Sequence, residues 1–129
     1  MDLGIRGKYA LVTGGSHGIG LATAQALADE GCNIAICARS EEPLHEAVAD
    51  LEARGVSALG IQGDVMVAAD IERVVNTVTD AWGTVHILVN NVGGGGRWGS
   101  PVIEDTAEDV WTDVYSKNAM AAVRFTRLV

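Results

Sequence analysis

An α/β domain built on a doubly wound parallel sheet is what this sequence predicts, and three observations predict it. Apolar runs and helix-period runs alternate along the chain, the pattern of parallel strands joined by covering helices. The first apolar run, ending Ala10-Leu-Val-Thr13, leads directly into three spaced glycines, Gly14, Gly18 and Gly20, and then into a helix of small residues. The length of 129 residues, 48% of them hydrophobic, suits residues 1–129 to a single domain with a buried core.

Lys8 to Thr13 reads as the first strand, short and apolar on both faces. Ile19 to Glu30 is an alanine-rich helix with Gly31 in the position that closes it. Asn33 to Ala38 is a second buried strand. Ser40 is placed to cap the next helix, with Glu41 and Glu42 in its first turn and Pro43 tolerated there. Leu44, Ala47, Val48 and Leu51 form the inner stripe of that helix, and Gly55 ends it. Ser57 to Gly63 is the third strand. Ile71, Val74, Val75, Val78 and Trp82 mark a helix that stops before Gly83, and Val85 to Asn90 is the fourth strand. Gly93 to Pro101 is too glycine-rich for regular structure and reads as a mobile loop. From Thr106, a capping residue, one last helix carries Val110, Val114, Ala121, Phe125 and Leu128 on one stripe and continues to Val129.

Composition excludes several classes. A formal net charge of −8 with nine scattered Lys and Arg leaves no basic stripe for nucleic acid. Cys32 and Cys37 stand an odd number of residues apart at the second strand, so they point to opposite sheet faces and cannot bridge one another. His17, His45 and His86 have no metal-ligand spacing, and no metal site is expected. Reduced cysteines, no signal-peptide core and no membrane-length apolar run make the cytoplasm the expected compartment.

The glycine loop carries the most chemistry. Its spacing is Gly-x-x-x-Gly-x-Gly, between a strand and a helix at the first βα junction, where doubly wound folds bind pyrophosphate. A purely structural turn is the alternative for such a pattern taken alone. Gly14 makes the turn, Ser16 and the backbone of Gly18 and Ile19 face the phosphates at a helix start, and Gly20 lets the helix pack against the strand. The second strand ends not in a carboxylate but in Ala38-Arg39-Ser40. A guanidinium there suits a 2′-phosphate, so NADP is expected, with NAD as the alternative and a merely solvated arginine as the structural reading. His17 could add a second contact. Asp64-Val65 ends the third strand, where a carboxylate can accept from an adenine amino group with Val65 against the ring; capping the next helix is the competing role for Asp64. Asn90-Asn91-Val92-Gly93 ends the fourth strand, with amides able to lock neighbouring strands and line the cleft, and with Gly93 open to close approach.

Thr13-Gly-Gly-Ser-His-Gly-Ile-Gly20, Asp64-Val65, Asn90-Asn-Val-Gly93 and Asn118 together resemble the short-chain dehydrogenase/reductases, over essentially the whole chain. The resemblance implies a Rossmann-like sheet of strand order 3-2-1-4, ending here after the helix that follows strand 4. It implies hydride transfer between NAD(P)H and a small carbonyl or alcohol substrate, in a homo-oligomer with no nucleic-acid or membrane partner. The chain departs from the family pattern at Val92, where Ala is usual, at His86, often Asp, and at Met66, where a polar cap residue is frequent.

The family's proton relay uses Tyr, a Lys four residues later, Ser and Asn, and of these only Asn118 has a counterpart. Tyr115 is followed four positions on by Ala119, so it reads as a packing residue. The missing relay residues are expected beyond Val129, which makes these residues the N-terminal part of an enzyme and inactive alone. A non-catalytic nucleotide-binding or interaction module is the competing account, and a methyltransferase-like site a weaker third. An open fourth strand would drive the isolated chain to associate or aggregate.

Overall fold

The computed structural model describes residues 1–93 and 102–129. Its sheet is parallel throughout, with β1 (Tyr9–Thr13), β2 (Asn33–Ala38), β3 (Ala58–Gln62) and β4 (Ile87–Val89) in the order β3-β2-β1-β4. That is the expected order. β1 runs in register with β2 from Tyr9 opposite Asn33 to Thr13 opposite Cys37, and with β4 from Ala10 opposite Ile87 to Val12 opposite Val89. β4 is shorter than the run Val85 to Asn90 suggests: its ladder with β1 extends only from Ala10 opposite Ile87 to Val12 opposite Val89.

Side chains of a strand alternate between faces, and both faces of this sheet are covered. On one face Ala10, Val12, Ile34 and Ile36 pack against Ala24 and Ala28 of α1 (Gly18–Asp29) and Leu44, Ala47 and Leu51 of α2 (Glu41–Ala53). On the other, Leu11, Ala35, Cys37 and Ile61 meet Ile71, Val74, Val75 and Val78 of α3 (Ala68–Trp82) and Phe125 of α5 (Ala121–Leu128). Each of the larger side chains buried this way contributes roughly 1.5–3 kcal/mol. Cys32 belongs to the first core and Cys37 to the second, and both are free thiols, as their odd spacing requires. Gly83 ends α3 at φ 80°, a backbone that a side chain would resist.

The C-terminal stretch departs from expectation. It is not one α-helix. α4 (Glu108–Tyr115) is joined to α5 by a π turn over Ser116–Met120. Thr106 does not cap α4: Ala107 stands there, while Thr106 closes a short 3-10 turn at Ile103–Asp105 and its hydroxyl donates back to the Val102 carbonyl at 3.1 Å. Ala121 and Phe125 are buried as the stripe requires, Val110 and Val114 are half-buried, and Leu128 is exposed. Tyr115, expected to pack, is 61% exposed, since the stripe that carries Val114 and Ala121 turns it outward. Ser40 occupies the cap position of α2 with extended backbone but makes no side-chain capping bond. Of the segment expected to be a mobile loop, 94–101 lies outside the described residues. Among the described residues no helix is long and apolar enough to cross a membrane.

Candidate dinucleotide-binding cleft

All four strands end at one edge of the sheet, and hydrogen bonds between those ends shape it. Thr13, buried at the end of β1, donates from Oγ1 to the Val89 carbonyl at 3.3 Å. The same oxygen accepts from the Asn91 and Val92 N–H groups at 3.0 and 3.3 Å. Asn91 Nδ2 donates to the Gly14 carbonyl at 3.2 Å, and on the other side the Gly14 N–H reaches the Cys37 carbonyl at 2.9 Å. The glycine loop is thus tied to β4 and to β2.

Glycine is required within it. Gly14 has φ 65° and Gly18 φ 56°, backbone regions that favour a residue with no Cβ. Gly20 needs space instead: a Cβ there would collide with the Gly14 carbonyl oxygen and lie 2.5 Å from Asn91 Nδ2. α1 therefore begins close against β1. His17 stands at its cap position without a side-chain capping bond, and the first intrahelical N–H to find an acceptor is that of Leu21, bonded to the His17 carbonyl. The amides of Gly18, Ile19 and Gly20 have no acceptor among the described residues, which is the donor array that an oxyanion of a phosphate would satisfy.

The Gly18 and Ile19 amides open on a cleft of about 640 Å³. Gly14, Ser16, His17, Gly18 and Ile19 line it from the loop, and Arg39 and Ser40 from the end of β2. Asp64 and Val65 line it beyond β3, and Asn91, Val92 and Gly93 beyond β4. Ser16 is buried with its Oγ 3.1 Å from His17 Nδ1. Arg39 is exposed, and its guanidinium has no ion pair among the described residues.

Two expected residues stand off the cleft wall. Gly20 lies behind the loop, where it permits the packing just described. Asn118 sits on the π turn, donates from Nδ2 to the Val114 carbonyl at 2.9 Å, and places Oδ1 only 2.9 Å from where a Gly93 Cβ would be. The missing side chain at Gly93 is what admits it. π turns inside helices occur frequently at functional sites.

Other expectations are corrected. Asp64 does not cap α3: Val67 holds that position, and Asp64 Oδ1 accepts instead from the Met66 N–H at 2.9 Å. Asn90 does not line the cleft; its Nδ2 donates to Thr126 Oγ1 at 3.3 Å and ties β4 to α5. Cys37, Ala38, Pro43, Gly63, Met66 and Lys117 line the cleft without having been expected there. Five of them flank recognised motifs, whereas Lys117 had only its place beside Asn118 to signal it. Burial pushes the Cys37 thiol up to about 11, so it forms wall and carries no negative charge at neutral pH.

A family model described as short chain dehydrogenase matches residues 8–129. L-sorbose reductase from Gluconobacter frateurii, solved with NADPH and L-sorbose, superposes with a TM-score of 0.93 at 41% identity, covering 100% of this chain and 48% of that one. NAD+-bound xylitol dehydrogenase gives a TM-score of 0.88 at 33% identity, over 97% of this chain and 47% of that one. Dehydrogenase/reductase SDR family member 4 of Homo sapiens is 36% identical over 122 residues, 95% of this chain and 43% of that protein. The chain thus spans about half the length of the relatives it matches.

Two outcomes test this geometry. Gly20→Val forces a side chain into the Gly14 carbonyl and should destabilise the fold by about 1–3 kcal/mol in urea unfolding, as overpacking does; an unchanged midpoint would contradict the close approach. Asp50 is held below its ordinary value chiefly by the Gln25 amide, and Asp70 chiefly by the Asp64 N–H and then Arg73. Depressed carboxyls add stability that is present above the unfolded value of 3.8 and lost as pH falls through the folded value. The urea midpoint should therefore drop as pH falls from about 5 through the ordinary value of 3.8 and below it, and Asp70→Asn should flatten part of that drop. An identical slope in the variant counts against the bond to Asp64.

Proposed function

The chain belongs to the short-chain dehydrogenase family, and on that premise we propose that it binds NADP(H) for hydride transfer to or from a small carbonyl or alcohol. The observation that carries the reading is the cleft itself. Unsatisfied amides of a helix start, an arginine at the end of β2, a carboxylate at the end of β3 and a paired-amide segment at the end of β4 share one cavity. Those four chemistries match, in order, a pyrophosphate, a phosphorylated ribose, an adenine and a nicotinamide. NADPH in the sorbose reductase and NAD+ in the xylitol dehydrogenase support a nicotinamide coenzyme of either kind.

When bound, the coenzyme supplies the hydride at its nicotinamide ring. The protein's own residues hold it. The N–H groups of Gly18 and Ile19, reinforced by the dipole of α1, would hold the pyrophosphate, with Ser16 and His17 beside them. Arg39 and Ser40 would take the 2′-phosphate, and Asp64 would accept from the adenine amino group while Val65 covers the ring. Asn91, Val92 and Gly93 would border the nicotinamide end. Asn118, reaching Gly93, would keep a water in the proton relay of the complete enzyme. Large apolar side chains exposed on these helices, Trp111 on α4 and Val123 on α5, support a homo-oligomer assembled through α4 and α5.

NADPH should bind more tightly than NADH in titration calorimetry, and Arg39→Asp should reverse that order. Loss of one charge-assisted contact to phosphate costs about tenfold in NADPH affinity, and the new carboxylate can accept from the free ribose hydroxyls of NADH. A ratio unchanged by the substitution would remove Arg39 from the phosphate site.

A further inference from the structure

α3 starts without a capping side chain, because Val67 at its cap position has no side-chain oxygen to offer. The work falls to the third residue of the helix. Asp70 Oδ2 reaches back past the cap and accepts from the Asp64 N–H at 2.8 Å, while Oδ1 accepts from Arg73 at 3.2 Å. With both oxygens engaged, the Asp70 side chain is held in one orientation. It also packs under the chain where β3 ends: a Cβ on Gly63 would stand 3.5 Å from Asp70 Cβ and 3.3 Å from Val74 Cγ2.

Asp64 is consequently fixed at three atoms. Its N–H is held by Asp70, its carbonyl accepts from the Val67 N–H at 3.0 Å, and its Oδ1 accepts from the Met66 N–H at 2.9 Å. Oδ2 is left without a partner among the described residues. Asp64 borders both the main cleft and an adjoining cavity of about 430 Å³ that Asp70 and Arg73 also line.

We propose that Asp70 is a positioning residue for base recognition: by pinning the Asp64 main chain, it aims the Asp64 carboxylate at the amino group of adenine. The inference rests on the coenzyme reading above and deepens it. An adenine presents an N–H donor at its 6-position, which a carboxylate accepts; hypoxanthine presents a carbonyl there, which a carboxylate repels. Discrimination between the two bases therefore reports on where Asp64 points. Removing Asp70 releases one of the three holds on Asp64 and leaves its half-buried N–H without that acceptor, so the main chain shifts toward a new partner and the carboxylate it carries is re-aimed.

The test compares binding of NADPH and of reduced nicotinamide hypoxanthine dinucleotide phosphate to the protein by titration calorimetry. The unsubstituted protein is expected to favour the adenine form by about tenfold, the worth of one charge-assisted hydrogen bond. Asp70→Ala should bring the two affinities within about twofold, chiefly by weakening NADPH, while Asp70→Asn, which keeps an acceptor oxygen, should preserve most of the preference. If Asp70→Ala does not fold, Asp70→Ser, too short to reach the Asp64 N–H, carries the same expectation. A preference that survives Asp70→Ala or Asp70→Ser, an equal loss for both coenzymes, or no preference in the unsubstituted protein would each overturn the inference and leave coenzyme binding standing. A protein that binds neither form would overturn the coenzyme reading and this inference with it.

Discussion

The cleft depends on one close approach, the main chain of Gly20 against the Gly14 carbonyl and the Asn91 amide. With any side chain at that position, α1 would have to withdraw from the end of β1. The free amides of its first turn would then no longer stand beside the ends of β2, β3 and β4. Thr13 and Asn91 reinforce the same junction from the strand side, one through a hydroxyl that serves three partners, the other through an amide that reaches the glycine loop. These bonds join elements nearly eighty residues apart in sequence, so the junction forms only when the sheet does.

From that junction the chemistry is distributed by topology. A parallel sheet puts the C-terminal ends of its strands on one edge, and each end here contributes a different kind of group. β1 leads into donors without partners among the described residues, β2 into a cation, β3 into a carboxylate, and β4 into amides. The acidic character of the chain as a whole does not reach the loop, whose side chains are small or neutral and whose helix dipole is positive toward the cleft. An anionic ligand can therefore enter a protein of net negative charge.

Most of the fold was legible in the sequence because it follows from periodicity and punctuation. Apolar runs bounded by Gly31, Gly55 and Gly83 located the first two helices, the end of the third and all four strands to within a residue or two, and order 3-2-1-4 followed from the resemblance. Local signals failed where tertiary contacts decide. Thr106 and Asp64 are residue types that cap helices, yet the caps fall on Ala107 and Val67, and Asp70 acts in place of a cap from three residues inside. The π turn at Ser116–Met120 has no compositional signature, and Leu128, in the last turn of α5, stays exposed although Ala121 and Phe125 of the same stripe are buried. In the site, the twelve expected residues that line the cleft were readable from motif order. Lys117 was not, because a lysine one step from Asn118 is indistinguishable in sequence from a solvated one.

The central claim is that the main-chain amides at the start of α1 hold the coenzyme pyrophosphate. Backbone amide NMR spectra of the protein titrated with NADP+ test it directly. The account predicts saturable shifts concentrated at Gly14 through Gly20, with smaller changes at Arg39 and Asp64. Saturable binding that leaves the Gly18 and Ile19 amides unmoved, or no binding at all, would contradict it.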